Sequence, residues 1–326
     1  MRAYLLARLG WAVPIVIAIL IINFLIIHLV PGDPIQALVG DFPTPPGYAE
    51  QIRKEYGLDQ PLLTQLWLYL VNLAGGNLGF SFANRQPVLP LILDRARFTL
   101  LLMLPALTCA AVLGVVLALA AAPRAGSLYD SSVTAISLIG FSVPIFWLGQ
   151  ILIIAFAIKL RWLPAQGMIS LRETLTGWAA VADVLWHLVL PGFSVTIYYI
   201  AVVARVARAS VLDALSQDFV LTAKAKGLSG RYVLWRHVLP NALIPVATVI
   251  GYNFGYSLTG AILVETVFAW PGIGNLFIAS IGNRDYPVLQ GIFLLTAVAV
   301  VLANVVTDML YAVLDPRVRG SYGKNA

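Results

Sequence analysis

The chain has 326 residues, of which 60% are hydrophobic and 11% charged, with a mean hydropathy of +0.87. A soluble domain carries about 25% charged residues, so this composition excludes the pair of water-soluble domains that length alone would allow. The formal charge of +6 comes without a basic stripe interleaved with aromatics, which excludes a nucleic-acid surface, and the single cysteine, Cys109, excludes an internal disulfide and a CxxC metal site.

Six apolar runs are long enough to cross about 30 Å of hydrocarbon at ~1.5 Å per residue. They are Leu9–Val30, Thr99–Ala122, Val133–Ile158, Leu188–Val206, Leu243–Phe268 and Leu289–Leu314. Turn chemistry bounds them at Pro31-Gly32, Pro123, Pro164, Pro240, Pro271-Gly272 and Asp315-Pro316. The expected fold is an all-α polytopic membrane protein. The first run starts almost at Met1, but it is too long for the apolar region of a signal peptide and no A-x-A-like site follows, so it is expected to remain as a span. Pro105, Pro144 and Pro191 fall inside or at the start of spans, where neighbouring helices can satisfy the freed carbonyls.

An even number of spans puts both termini on one side. Arg2, Arg8, Arg124, Arg205, Arg208, Lys224, Lys226, Arg231, Arg236, Arg317, Arg319 and Lys324 then share that side, in short segments, out of 21 Lys and Arg in total. The positive-inside rule makes that side the cytoplasm. Residues 1–98 are read as a first span with a long outer loop, 99–314 as a five-helix core, and 315–326 as a cytoplasmic tail.

The outer loop opens with Asp41-Phe42-Pro43-Thr44-Pro45-Pro46-Gly47, continues as a helix-like segment from Tyr48 to Asn72, and stops at Gly75-Gly76. Leu89–Phe98 reads as an amphipathic interfacial piece leading into span two. The loop is either a folded cap or a docking surface for an outer partner, and both can hold.

Between spans four and five, Val211, Leu215, Phe219 and Ala223 recur at i+4, the pattern of a helix with one apolar stripe leaving the membrane. Gly227 ends it as a C′ glycine. Ser229 caps a second short helix running through Tyr232 and Trp235 to His237, and Pro240 ends that. The product is a helix–glycine–helix elbow over 205–240. It is either a plain connector or a coupling helix, a rigid rod fitted to a groove on a moving partner. Ala223, Ala225 and Gly227 are small enough to permit close approach there.

Leu221-Thr222-Ala223-Lys224-Ala225-Lys226-Gly227, nine residues, then His237-Val238-Leu239-Pro240 resembles the EAA loop of ABC importer permeases. Ala223, Gly227, Leu239 and Pro240 match at the family spacing, while Leu221, Thr222 and His237 depart from it. Asp218-Phe219-Val220 and Gly227-Leu228 beside that stretch are similar to the peptide/nickel branch, where the departure is usual. Val30-Pro31-Gly32-Asp33-Pro34, Tyr56-Gly57-Leu58-Asp59-Gln60-Pro61, Glu265-Thr266-Val267-Phe268, Pro271-Gly272-Ile273-Gly274, Arg284-Asp285-Tyr286-Pro287-Val288 and Leu314-Asp315-Pro316-Arg317-Val318-Arg319 resemble the same branch, in the same order.

The resemblance implies a type I importer: two permease subunits, two ATPase subunits and an extracytoplasmic substrate-binding protein in the cytoplasmic membrane. Asp218, Thr222, Ala223, Lys224, Ala225, Lys226, Gly227, Leu228, His237, Leu239 and Pro240 become the ATPase-coupling residues. It implies a di- or oligopeptide cargo, with nickel or a metal chelate as the alternative, and a second permease that is similar but distinct. No cofactor is expected on this chain, with ATP and Mg on the partner subunits. The sequence fits that division, since it holds no G-x4-G-K-[S/T] phosphate loop, no zincin spacing and no G-x-S-x-G.

Ionisable residues inside spans are functional candidates by default. Asp308 near the inner end of span six pairs with an inner arginine such as Arg205 or serves the path. Glu265 near the outer end of span five lines the path or caps an outer gate. Gly251, Gly255 and Thr259 form a small-residue packing seam, placed against the second permease. His28, His187 and His237 read as satisfied interface histidines. A gradient-driven secondary transporter, the competing class, would place acids or broken helices near the midplane, and no midplane carboxylate pair is present. An intramembrane enzyme would need a nucleophile–base pair or metal cluster that the sequence lacks.

Overall fold

The computed structural model describes residues 2–29, 45–47, 50–51, 54, 59–171, 174–255, 257 and 262–314. The motif at Val30–Pro34, most of the proline-rich stretch, Thr259, the side chain of Asp308 and the tail 315–326 lie outside the described residues.

Helix α1 spans Arg2–Leu29, and α2 spans Leu62–Ala74. Pro61 immediately precedes the first turn of α2; in the earlier part of the segment expected from Tyr48, Glu50, Gln51 and Lys54 are helical, and residues 48–49, 52–53 and 55–58 lie outside the described residues. Gly75 and Gly76 end it as expected, Gly76 at φ +78°. A two-stranded hairpin follows, β1 (Phe80–Ser81) and β2 (Gln86–Pro87), antiparallel with Phe80 opposite Pro87 and Ser81 opposite Gln86. It leads straight into α3, Val88–Ala121. The expected interfacial piece Leu89–Phe98 is therefore the first part of the span helix itself, with Leu91, Ile92 and Ala96 buried.

α4 (Leu128–Ser142) and α5 (Ile145–Leu152, continuing π-helically through Lys159) meet at 95°. The expected single span Val133–Ile158 is thus broken. Pro144 disfavours the helical region for the residue before it, and Val143 turns to φ −79°, ψ 123°. α6 runs unbroken from Trp178 to Leu215. Its 38 residues reach ~57 Å, so its ends stand beyond the hydrocarbon.

The elbow holds α7 (Asp218–Ala225) and α8 (Gly230–Val233), which widens into a π turn at Leu234–Val238 and continues as α9 (Leu239–Gly255). Pro240 does not end that helix. Its missing N–H and its ring are accommodated by the wider π turn just before it. α10 (Ile262–Val267), α11 (Ile273–Gly282) and α12 (Tyr286–Leu314) complete the chain. Of Leu243–Phe268, expected as one span, α9 and α10 are described; residues 256 and 258–261 between them lie outside the described residues.

Among the described residues, four helices are long and apolar enough to cross a membrane, and the bent pair makes a fifth. α1 is helical over 28 residues, with Val13–Leu25 as its apolar stretch among the side chains described. α3 and α6 form the central pair. Leu102, Met103 and Ala106 of α3 pack with Leu190, Val195 and Tyr199 of α6 and with Phe268 and Trp270. α1 is tied in by Gln290 Nε2 donating to the Asn23 carbonyl (3.1 Å) and by the Phe24–Tyr69 rings, 5.6 Å apart.

The small-residue seam on α9 is occupied within the chain. A Cβ at Gly251 would overlap the Thr307 side chain, and one at Gly255 would lie 2.8 Å from Ala303 Cβ, both on α12. Gly251 and Gly255 are therefore not free for a second permease, because α12 already fills the space beside them. Overpacking of this kind costs about 1–3 kcal/mol. Gly251→Ala should lower the thermal unfolding temperature of the purified protein, whereas Gly10→Ala, with open space around it, should not. Equal unfolding temperatures for both variants would refute the close α9–α12 contact.

Candidate functional site

The elbow lies at the end of the bundle where α3 and α6 finish. α6 stops at Leu215 and α7 restarts at Asp218, so the expected stripe Val211–Ala223 lies on two helices with a break at Ser216-Gln217. Asp218 in the first turn and Lys224 in the last both complement the helix dipole.

The C-terminus of α7 is a complete Schellman motif. The Leu228 N–H donates to the Ala223 carbonyl (3.3 Å) and the Gly227 N–H to the Lys224 carbonyl (2.9 Å), with Gly227 at φ +77°. Ser229 Oγ accepts from the Tyr232 N–H at 3.4 Å, the cap expected for the second helix. Val220, Ala223, Val233 and Val238 seat the elbow on Leu119 of α3 and Ala122 just after it, Val211 and Ala214 of α6, and Ala242 of α9. Displacement of the elbow therefore acts on three spans through one apolar cluster.

The expected coupling residues divide by burial. Ala223 is 5% exposed and belongs to the seat, so its small size serves the chain's own packing rather than an approaching partner. Asp218, Thr222, Lys224, Ala225, Lys226, Gly227 and Leu228 stand exposed. His237 and Leu239 are half-buried, and the His237 ring lies 6.0 Å from that of Tyr232. Pro240 is exposed at the junction of the π turn with α9. Leu221, Tyr232 and Trp235 add 70%, 51% and 52% exposed apolar surface among these cations. Water-exposed apolar side chains of this size, ringed by charge, mark an interaction surface.

The structure adds partners that sequence reading missed. Arg208, counted as a loop charge, lies within α6 and forms a two-pronged pair with Asp130, its Nη2 2.7 Å from Oδ2. Asp130, at the start of α4, also accepts from the Gly126 N–H at 3.0 Å. The pair locks the α3–α4 turn to α6 beside the elbow, across 78 residues that no local pattern connects. Arg205 also lies inside α6, with its guanidinium 4.6 Å over the Phe141 ring.

At the opposite end, Glu265 is fully buried between α10, α11 and α3. Its Oε1 accepts from Thr99 Oγ1 (2.6 Å), and its Oε2 accepts from the N–H groups of Gly274 (2.7 Å) and Asn275 (3.2 Å). Thr99 Oγ1 in turn accepts from the Ile273 N–H at 2.9 Å. The carboxylate thus caps the first turn of α11 from another helix, where the dipole favours negative charge. Nearby, Trp270 Nε1 donates to the Phe98 carbonyl at 2.8 Å. On the same end Ser81 Oγ donates to Asp285, whose carboxyl is pushed up by burial, and His187 Nδ1 lies 2.8 Å from the Asp183 carbonyl.

With an elbow of this form seated on three spans, comparison with known proteins decides the family. The sequence model of the binding-protein-dependent transport system inner membrane component matches residues 110–320, and that of the N-terminal part of such components matches residues 1–103. The chain belongs to this family. The permease is 40% identical to the di/tripeptide transport system permease protein DppB of Pseudomonas aeruginosa, over 98% of this chain and 99% of that one. It is 36% identical to the dipeptide transport system permease protein DppB of Escherichia coli K12, with the same coverage. A probable peptide ABC transporter permease protein of Sinorhizobium fredii is 39% identical over 98% of this chain and all of that one. The permease thus has the type I ABC importer fold and is a multi-pass transmembrane subunit, in a family whose ATPases are separate chains.

Proposed function

We propose that the permease carries di- or oligopeptides across the cytoplasmic membrane, with both termini inside. Two ATPase subunits dock on the elbow, a second homologous permease completes the path, and an extracytoplasmic binding protein delivers the cargo. The observation that carries this reading is near-complete coverage by relatives named for peptide transport, combined with an elbow whose exposed rim and buried seat suit a lever. In that role Lys224, Ala225, Lys226, Gly227 and Leu228 meet the ATPases, and the α3–α6–α9 seat passes the movement to the spans. Glu265 holds the outer end of the same helices rather than touching cargo, since it is fully buried.

The test is uptake by the complete complex in proteoliposomes. Labelled dipeptide should accumulate with Mg·ATP and a matching binding protein, and not with a non-hydrolysable analogue. Uptake driven by a pH gradient alone would overturn the coupling reading, and uptake of a nickel chelate in place of dipeptide would overturn the cargo. With Cys109→Ser as background, Lys224→Cys and Arg231→Cys should react only from the cytoplasmic side.

A further inference from the structure

The exposed rim assigned to the ATPases ends at Leu228. Beyond it, Ser229, Arg231, Tyr232, Trp235 and Arg236 line one open groove of about 470 Å³, within the ~300–1,000 Å³ of ligand clefts. Arg231 and Trp235 are four residues apart, as are Tyr232 and Arg236, so each pair shares a helix face. All four side chains are exposed, while Val233 and Val238 turn inward to the seat.

Packing fixes the depth of the groove. Val233 and Val238 pack with Leu119 and Ala122, where α3 ends and Pro123-Arg124 follow. Gly230–Gly255 together form an apolar helix of 26 residues. That is ~39 Å at ~1.5 Å per residue, against about 30 Å of hydrocarbon. The groove occupies the first two turns of this helix and stands at the level of the lipid headgroups. Tryptophan and tyrosine collect at that level because the ring sits in the acyl boundary with its polar edge in water.

The arginines at this end differ in what they touch. Arg124 donates to the Ala120 carbonyl and lies over the Tyr129 ring, Arg205 lies over Phe141, and Arg208 pairs with Asp130. Arg231 and Arg236 have no carboxylate or ring partner among the described residues. The five residues that line the groove include no acid. Two guanidiniums on one groove present the fork of donors that fits phosphate oxygens.

We propose that this groove binds the headgroup of an anionic phospholipid of the inner leaflet. Arg231 and Arg236 take the phosphodiester oxygens, and the Ser229 hydroxyl donates to the same group. Tyr232 and Trp235 lie against the glycerol and the first acyl carbons. An anionic lipid leaves both guanidiniums attracted, whereas a zwitterionic one brings its own ammonium to the groove. The bound lipid anchors α8 at the surface and leaves α7 and the Gly227 turn to the ATPases. The site rests on the inner placement of the elbow, which the sidedness of Arg231→Cys labelling tests separately.

The test uses the complete complex in three kinds of vesicle: phosphatidylcholine, phosphatidylcholine mixed with phosphatidylglycerol, and phosphatidylcholine with added inorganic phosphate. Phenylglyoxal modification of Arg231 and Arg236 is mapped by peptide mass and compared with Arg161, an exposed arginine at the other end of the bundle. Relative to Arg161, both should react roughly tenfold more slowly with phosphatidylglycerol than without it, and inorganic phosphate should change nothing. Equal rates with and without phosphatidylglycerol would overturn the lipid site. Equal protection by inorganic phosphate would make the groove a free-anion site and overturn the lipid. In native mass spectrometry, Arg231→Gln/Arg236→Gln should retain fewer phosphatidylglycerol molecules than the wild type, and Lys224→Gln/Lys226→Gln as many. An unchanged lipid count in the arginine variant, or loss of its ATPase chains with the lipid retained, would overturn the site.

Discussion

Gly227→Val should abolish peptide uptake while the complex still assembles and still hydrolyses ATP. The reason is the backbone. Gly227 closes the Schellman motif at φ +77°, and nothing lies within 4 Å of where its Cβ would be. Space is therefore not the constraint. A non-glycine residue in the left-handed region costs about 1–2 kcal/mol, and a β-branched one is a genuine outlier there. Valine would open the turn, release the hydrogen bonds to Ala223 and Lys224, and re-aim α8 relative to α7. Gly227→Asn, which tolerates this conformation, should keep most of the uptake. Gly227→Asp should likewise be milder than valine, because nothing lies within 4 Å of the added Cβ and aspartate tolerates the left-handed region better than a β-branched residue. The ratio of peptide imported to ATP hydrolysed checks this. A normal ratio in Gly227→Val would remove the rigid elbow from the coupling mechanism.

Glu265→Ala should be the most destabilising single change discussed. It removes the acceptor for Thr99 Oγ1 and for the Gly274 and Asn275 N–H groups, all from a site with no access to solvent. A buried donor left unsatisfied costs about 1–3 kcal/mol, and the emptied volume adds a cavity cost. A total of ~3–5 kcal/mol places it among the exceptional substitutions. The expected results are a much lower unfolding temperature in detergent and little assembled complex in the membrane. Glu265→Gln retains one acceptor and the shape, so it should fall between. Wild-type stability in Glu265→Ala would show that the cap contributes nothing.

Legibility followed distance along the chain. The Gly227 turn and the Ser229 cap were readable because each is set by residues within five positions. The breaks were only half readable. Pro144 was visible, yet hydropathy ran through it, and a 95° bend emerged where a straight span was expected. Pro240 was visible too, but its stop signal was absorbed by a π turn. The long-range side-chain pairs were not readable at all. Asp130 finds Arg208 across 78 residues and Glu265 finds Thr99 across 166.

The sequence by itself determined that this protein lives in a membrane, that glycine breaks its elbow, and which family's motifs it carries in order. These rest on hydropathy, on backbone conformational limits and on local caps, all fixed within a few residues. Only the tertiary structure decided which small residues serve inward packing, as Ala223 and Gly251 do, and which charges sit inside helices, as Arg205 and Arg208 do. It also decided that Glu265 is a structural cap. Burial and partner geometry arise when distant segments meet, and no window of local sequence contains both halves of such a contact.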